Sequence, residues 1–101
     1  MTNHPFDPDP RFFDVTVVGS SNLDLVATVD RLPGPGETVL ALDYHEHPGG
    51  KGLNQAVAAR RAGATTAFIT CLGSDPAGER LHRLMIDEDI SPYVLETDAP
   101  T

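Results

Sequence analysis

Apolar positions along the chain fall into three short runs separated by stretches of helical spacing. Phe12 to Gly19 holds Val15, Val17 and Val18 in a β-branched run ended by Gly19, the pattern of a strand apolar on both faces. Thr66 to Leu72, reading TAFITCL and ended by Gly73, is a second such run, and Tyr93 to Thr97 is a third. Between the first two, Leu53, Ala56, Val57 and Arg60 recur at helical spacing within Leu53 to Ala62, and Gly63 supplies the stop. Asp75 as cap and Pro76 at the first helical position open another helix, whose apolar stripe is Leu81, Leu84 and Met85. Strands alternating with helices of this length predict right-handed crossovers and a mostly parallel sheet, an α/β fold.

One segment departs from that rhythm. Leu23 to Val29 alternates partially, Leu32 to Gly36 reads LPGPG, and Thr38 to Tyr44 alternates weakly. This predicts a small two-stranded excursion around a turn, too small to be stable unless it leans on something. Residues 1–11, rich in Pro and Asp with no apolar period, read as a flexible tail. With 101 residues the chain is at most one domain. A parallel sheet that stops after a third strand leaves an unprotected edge and one covered face. The expectation is therefore the start of a larger α/β domain, over residues 12–101.

Charge and composition narrow the class. A formal net charge of −8 argues against a nucleic-acid surface, which carries a basic stripe. No apolar stretch has the length of a membrane span, and no basic segment with an apolar core marks a secretory signal. The expected location is the cytoplasm. A single cysteine, Cys71, excludes an internal disulfide, and its apolar surroundings predict a buried residue rather than a nucleophile.

Candidate chemistry gathers in two places. The first is the run Pro48 to Ala56, PGGKGLNQA, directly before a helix. Glycines let a backbone approach a ligand, and a helix N-terminus offers free N–H groups and a positive dipole end. Lys51 adds a cation and Asn54 a two-way amide. The same glycines would also serve a plain tight turn. A P-loop is excluded, because Gly52 follows the lysine where Ser or Thr is needed and His45 stands where the first glycine belongs. The second is GSSNLD, Gly19 to Asp24, at the carboxyl end of the first strand, where open α/β sheets bind ligands. In extended backbone Asn22 and Asp24 share a face, a carboxylate beside an amide that suits sugar hydroxyls. An Asx turn ending the strand is the alternative. GSSNLD lacks the dinucleotide spacing. His45 and His47 could share a strand face, but no third metal ligand lies near them in sequence. Asp75 reads as a helix cap rather than a ligand, and Arg60 and Arg61 as an exposed helix edge.

These motifs together resemble the ribokinase-like (PfkB) carbohydrate kinases. The resemblance runs from about Val15 to Thr101 through GSSNLD, RLPGPGET, PGGKGLNQAVAARRAG and FITCLGSDPAGERL. It implies a three-layer fold with a small β lid over the sugar, lid strands falling near residues 25–29 and 39–44. It implies that Asn22 and Asp24 bind sugar hydroxyls and that Gly50, Lys51 and Asn54 hold the sugar from the glycine loop. The implied reaction is ATP-dependent phosphorylation of a sugar, D-ribose before fructose, a nucleoside or another sugar. It uses Mg²⁺, with room for an activating monovalent cation, in an enzyme that dimerises through its lid. The family's catalytic Asp lies in a Gly-Ala-Gly-Asp-type segment that also forms an anion hole close to the ATP pocket. No such segment occurs in this sequence. The resemblance thus implies an N-terminal portion that is inactive alone. The competing expectation is a non-catalytic module that binds sugar weakly or associates through its lid strands.

Overall fold

The computed structural model describes residues 12–101; the expected tail, residues 1–11, lies outside them. The chain runs β1 (Val15–Val18), β2 (Asn22–Thr28), β3 (Asp43–Gly49), α1 (Lys51–Arg61), β4 (Thr66–Gly73), α2 (Pro76–Asp87) and β5 (Ser91–Thr97). Strands β1, β4 and β5 form a parallel sheet in that order. Its register sets Val17 beside Phe68 and Ile69 beside Tyr93. Strands β2 and β3 form a separate antiparallel pair. Right-handed crossovers place α1 and α2 on one face of the parallel sheet. The core beneath them is Val17, Leu53, Ala56, Phe68, Leu72, Leu81, Met85 and Ile90.

The α/β alternation of the sequence is present, and α2 begins as its cap predicts. Asp75 accepts a hydrogen bond from the Gly78 amide at 2.7 Å, and Pro76 occupies the first turn. Several boundaries differ from the sequence reading. Strand β1 is shorter than Phe12 to Gly19. Its start is held instead by side chains, Asp14 accepting from the Thr65 amide at 3.0 Å while the Thr65 hydroxyl accepts from the Asp14 amide at 2.9 Å. Phe13 leaves the strand and meets Tyr93 edge-on, ring centres 6.2 Å apart.

The lid strands shift as well. The first starts at Asn22 rather than Leu25, and the second spans Asp43–Gly49 rather than residues 39–44. Thr38 and Val39 are the better strand formers, but they fall outside the pairing, which begins at Asp43. Arg31 pairs with Glu37 at 2.5 Å, and Glu37 also accepts from the Gly34 amide at 2.9 Å. Pairing with β2 then falls to DYHEHPG, which includes Pro48. A two-stranded ribbon has open edges on both sides, so a proline without an N–H is tolerated there.

Cys71 is exposed, contrary to the expectation of burial. Side chains on β4 alternate, and Phe68, Thr70 and Leu72 take the helix-covered face, leaving Cys71 on the other. Val18 and Leu95 share that open face at 74% and 68% exposure. Arg60 and Arg61 are more than a helix edge. Arg60 donates to the Asp89 carbonyl and carboxylate, and Arg61 pairs with Glu88, tying the end of α1 to the α2–β5 turn.

Candidate functional site

Three consecutive residues carry the chain from β1 to β2, and each has its own partner. The Gly19 amide donates to the Ile69 carbonyl at 3.1 Å. The Ser20 carbonyl accepts from the Leu53 amide in the first turn of α1 at 3.0 Å. The Ser21 hydroxyl lies 3.0 Å from the Thr70 hydroxyl of β4. This corner delivers Asn22 and Asp24 onto one face of β2, where the Asn22 amide donates to Asp24 Oδ1 at 2.6 Å.

The glycine run closes against that pair. Gly49 ends β3 opposite Asn22. A Cβ on Gly49 would stand 2.6 Å from Asp24 Oδ2 and 3.3 Å from Asn22 Nδ2. A Cβ on Gly50 would stand 2.8 Å from the Ser20 carbonyl oxygen and 2.9 Å from Asn22 Oδ1. Gly50 alone joins β3 to α1, at a φ of 100° that only glycine adopts without strain. The helix therefore begins at Lys51 rather than Leu53, and Lys51 is its first residue, exposed. Gly52 abuts Gly19 so closely that a Cβ would meet the Gly19 carbonyl carbon at 2.7 Å.

The N-terminus of α1 has no side-chain cap and no acidic residue in its first turn. The exposed Lys51 ammonium stands at its positive end, while the Leu53 amide is taken by the Ser20 carbonyl. Gly49 lies against both Asn22 and Asp24 and Gly50 against Asn22, with Lys51 adjoining in sequence. Asn54 is exposed one turn further on. It lines a groove of about 410 Å³ between α1, α2 and β3, with His47, Pro48, Arg61 and Glu88. His47 stands across from Asp24 in the β2–β3 register, which links the groove to the Asn22–Asp24 pair. An Arg80–Glu46 ion pair fastens β3 to α2.

The other titratable candidates have structural duties. Asp75 accepts from the Thr101 hydroxyl, the Thr101 amide and the Gly78 amide, which hold its carboxyl below the usual aspartate value. His45 pairs with Asp43 at 2.8 Å. Among the described residues no group of three His, Cys, Asp or Glu side chains is arranged to hold a metal. Sequence reading passed over Gly49 and the Ser21–Thr70 pair. Gly49 sits within the glycine run, but its duty depends on strand register, and nothing local in GSSN or FITC marks two hydroxyls as partners.

A corner after the first strand, a two-stranded lid and a glycine-opened helix define a class. Residues 13–101 match the pfkB family carbohydrate kinase model, and the chain belongs to that family. Among its relatives is the ribokinase of Haemophilus influenzae, 45% identical over 83 residues, which are 82% of this chain and 27% of that protein. The ribokinase of Bacillus subtilis is 48% identical over 65 residues, 64% of this chain and 22% of that protein. Of solved structures, ribokinase from Thermotoga maritima superposes with a TM-score of 0.79 at 37% identity, covering 89% of this chain and 30% of that one. Ribokinase from Arabidopsis thaliana, complexed with ribose and ATP, gives 0.72 at 31% identity over 86% of this chain and 29% of that one. The chain thus spans less than a third of each of these proteins.

Proposed function

We propose that this chain is the sugar-binding N-terminal portion of an ATP-dependent ribose kinase, which converts D-ribose to ribose 5-phosphate. The observation that carries the reading is the Asn22–Asp24 pair, hydrogen-bonded at 2.6 Å and enclosed by Gly49 and Gly50. The relatives named ribokinase, one of them complexed with ribose and ATP, support ribose as the sugar.

In this reading Asp24 accepts hydrogen bonds from two sugar hydroxyls. Asn22 orients that carboxylate with its amide N–H and offers its own oxygen to a hydroxyl donor. Gly50, Lys51 and Asn54 hold the sugar from the start of α1, and β2 and β3 form a lid over it. Phosphoryl transfer needs a base within reach of the attacking hydroxyl and stabilisation of the transferred charge. Asp24 is engaged with other hydroxyls and Asp75 with Thr101. The base, the anion hole, and the ATP, Mg²⁺ and monovalent-cation sites are assigned outside this segment. The chain by itself is accordingly inactive. Exposed Leu25 and Tyr44 on one face of the lid support dimerisation through it. Among the described residues no helix is long and apolar enough to cross a membrane. The location proposed for the chain is the cytoplasm.

The test joins the whole chain to the remainder of the Haemophilus influenzae ribokinase, the part beyond the matched 27%. This chimaera should release ADP in a ribose-dependent manner, and the 101-residue chain alone should not. Asp24→Ala should raise the ribose KM strongly and leave the ATP KM unchanged. Hydrogen bonds to a charged group imply a loss of about tenfold to several hundredfold in kcat/KM. Unchanged ribose kinetics in Asp24→Ala would overturn the assignment of the site. A chimaera that prefers fructose or a nucleoside would change the substrate.

A further inference from the structure

Ser21 and Thr70 bury two hydroxyls inside an apolar core, at 9% and 4% exposure. Their oxygens are 3.0 Å apart across 49 residues of sequence. The other buried polar side chain, Thr66, bonds locally to the Ala64 carbonyl. Among the described residues the Ser21–Thr70 bond is thus the long-range side-chain hydrogen bond of the core, and Ser21 lies one residue before Asn22.

We infer that Thr70, through Ser21, is a positioning residue for the sugar site. The inference rests on the reading of Asn22 and Asp24 as sugar ligands. Ser21 is the corner residue joined directly to Asn22, and side chains two apart on β2 share a face, so anchoring Ser21 inward constrains the direction in which Asn22 and Asp24 leave the corner. An apolar contact at this point would resist separation but not rotation. A hydrogen bond between two buried hydroxyls is directional, and breaking it strands a buried polar group. The neighbouring bonds, Gly19 to Ile69 and Leu53 to Ser20, fix the path of the backbone. The hydroxyl pair adds the rotation about that path. Thr70 touches no ligand in this scheme; it sets the direction in which β2 presents its amide and carboxylate.

Kinetics of the chimaera separate this from a plain contribution to the fold. Thr70→Val keeps the shape of the side chain and removes the hydroxyl. It should raise the ribose KM about three- to tenfold, with kcat and the ATP KM within about twofold. Thr70→Ser should restore the parent value. In the double variant Ser21→Ala/Thr70→Val no hydroxyl is left unpaired, so thermal stability should recover while the ribose KM stays raised. A ribose KM that returns to the parent value in the double variant overturns the inference, as does a Thr70→Val variant that loses only melting temperature. Asp24→Ala in the same chimaera keeps the two readings apart. If Asp24→Ala has no effect, the sugar site itself is wrong. If Asp24→Ala acts and Thr70→Val does not, only the positioning role falls. The 101-residue chain gives a readout independent of catalysis. Thr70→Val should speed amide hydrogen exchange about tenfold at residues 21–24 and leave α2 unchanged. Equal exchange in the two segments overturns the inference.

Discussion

Asp24 keeps its place because the residue opposite its neighbour Asn22 has no side chain. The space a Gly49 Cβ would fill is already held by the Asp24 carboxylate, at 2.6 Å. Contacts that short do not occur, so Gly49→Ala must turn the carboxylate or part β2 from β3. The expected outcome in the chimaera is a rise in ribose KM on the order of tenfold to a hundredfold, the scale set by small misplacements of a binding group. Most of the effect should vanish when Asp24 is already alanine, because the shortest contact is with that side chain and only the Asn22 amide, at 3.3 Å, remains. Steady-state kinetics of both single variants and the double would check it, and additive effects would refute it. The sharing of a face by Asn22 and Asp24 was legible in the sequence, since alternation along a strand is local. The duty of Gly49 was not, because it depends on a cross-strand register, and the sequence reading ended the second strand near residue 44, short of Gly49. Cys71 shows the same limit. An apolar neighbourhood in sequence does not say which face of the strand a helix covers.

The turn from β4 into α2 is built on a single carboxylate. Asp75 caps the helix through Gly78 and also accepts both the amide and the hydroxyl of Thr101, at 2.8 and 2.7 Å. The Thr101 hydroxyl in turn accepts from the Gly73 amide at 2.8 Å. The cap was readable from Asp75-Pro76, a short-range pattern with a known mechanism. The second use of the carboxylate was not, because Thr101 lies 26 residues away. These bonds lower the Asp75 pKa in the folded state below its ordinary value of 3.8. Their contribution is complete above that value and is lost as pH falls through the folded pKa. Glu37 and Glu88, lowered by Arg31 and Arg61, act in the same direction. Stability should therefore fall on acidification below about pH 4, and Asp75→Asn should flatten the fall. Melting temperature against pH for the two proteins would show it; parallel curves would deny the clasp its role.

At the scale of the whole molecule, cover is uneven among the described residues. Two helices shield one face of the sheet, while Val18, Cys71 and Leu95 stand exposed on the other and Leu25 and Tyr44 on the lid. Exposed apolar patches and open strand edges favour association. The 101-residue chain should run as dimers or larger species in size-exclusion chromatography with light scattering. Charge substitutions at Val18 and Leu95 should shift it toward monomer; a clean monomer with a cooperative melt would contradict this. The strand order β1-β4-β5 has a consequence of its own. Each later strand joins the free side of the one made before it, so the direction of sheet growth is the direction of synthesis. At roughly 5–20 residues per second, the segment leaves the ribosome within tens of seconds, and β4 meets a completed β1 when it emerges. β1 waits for β4 before it can pair, β5 then finds β4 already in place, and the ion pairs from Arg60 and Arg61 close only once α2 has been made.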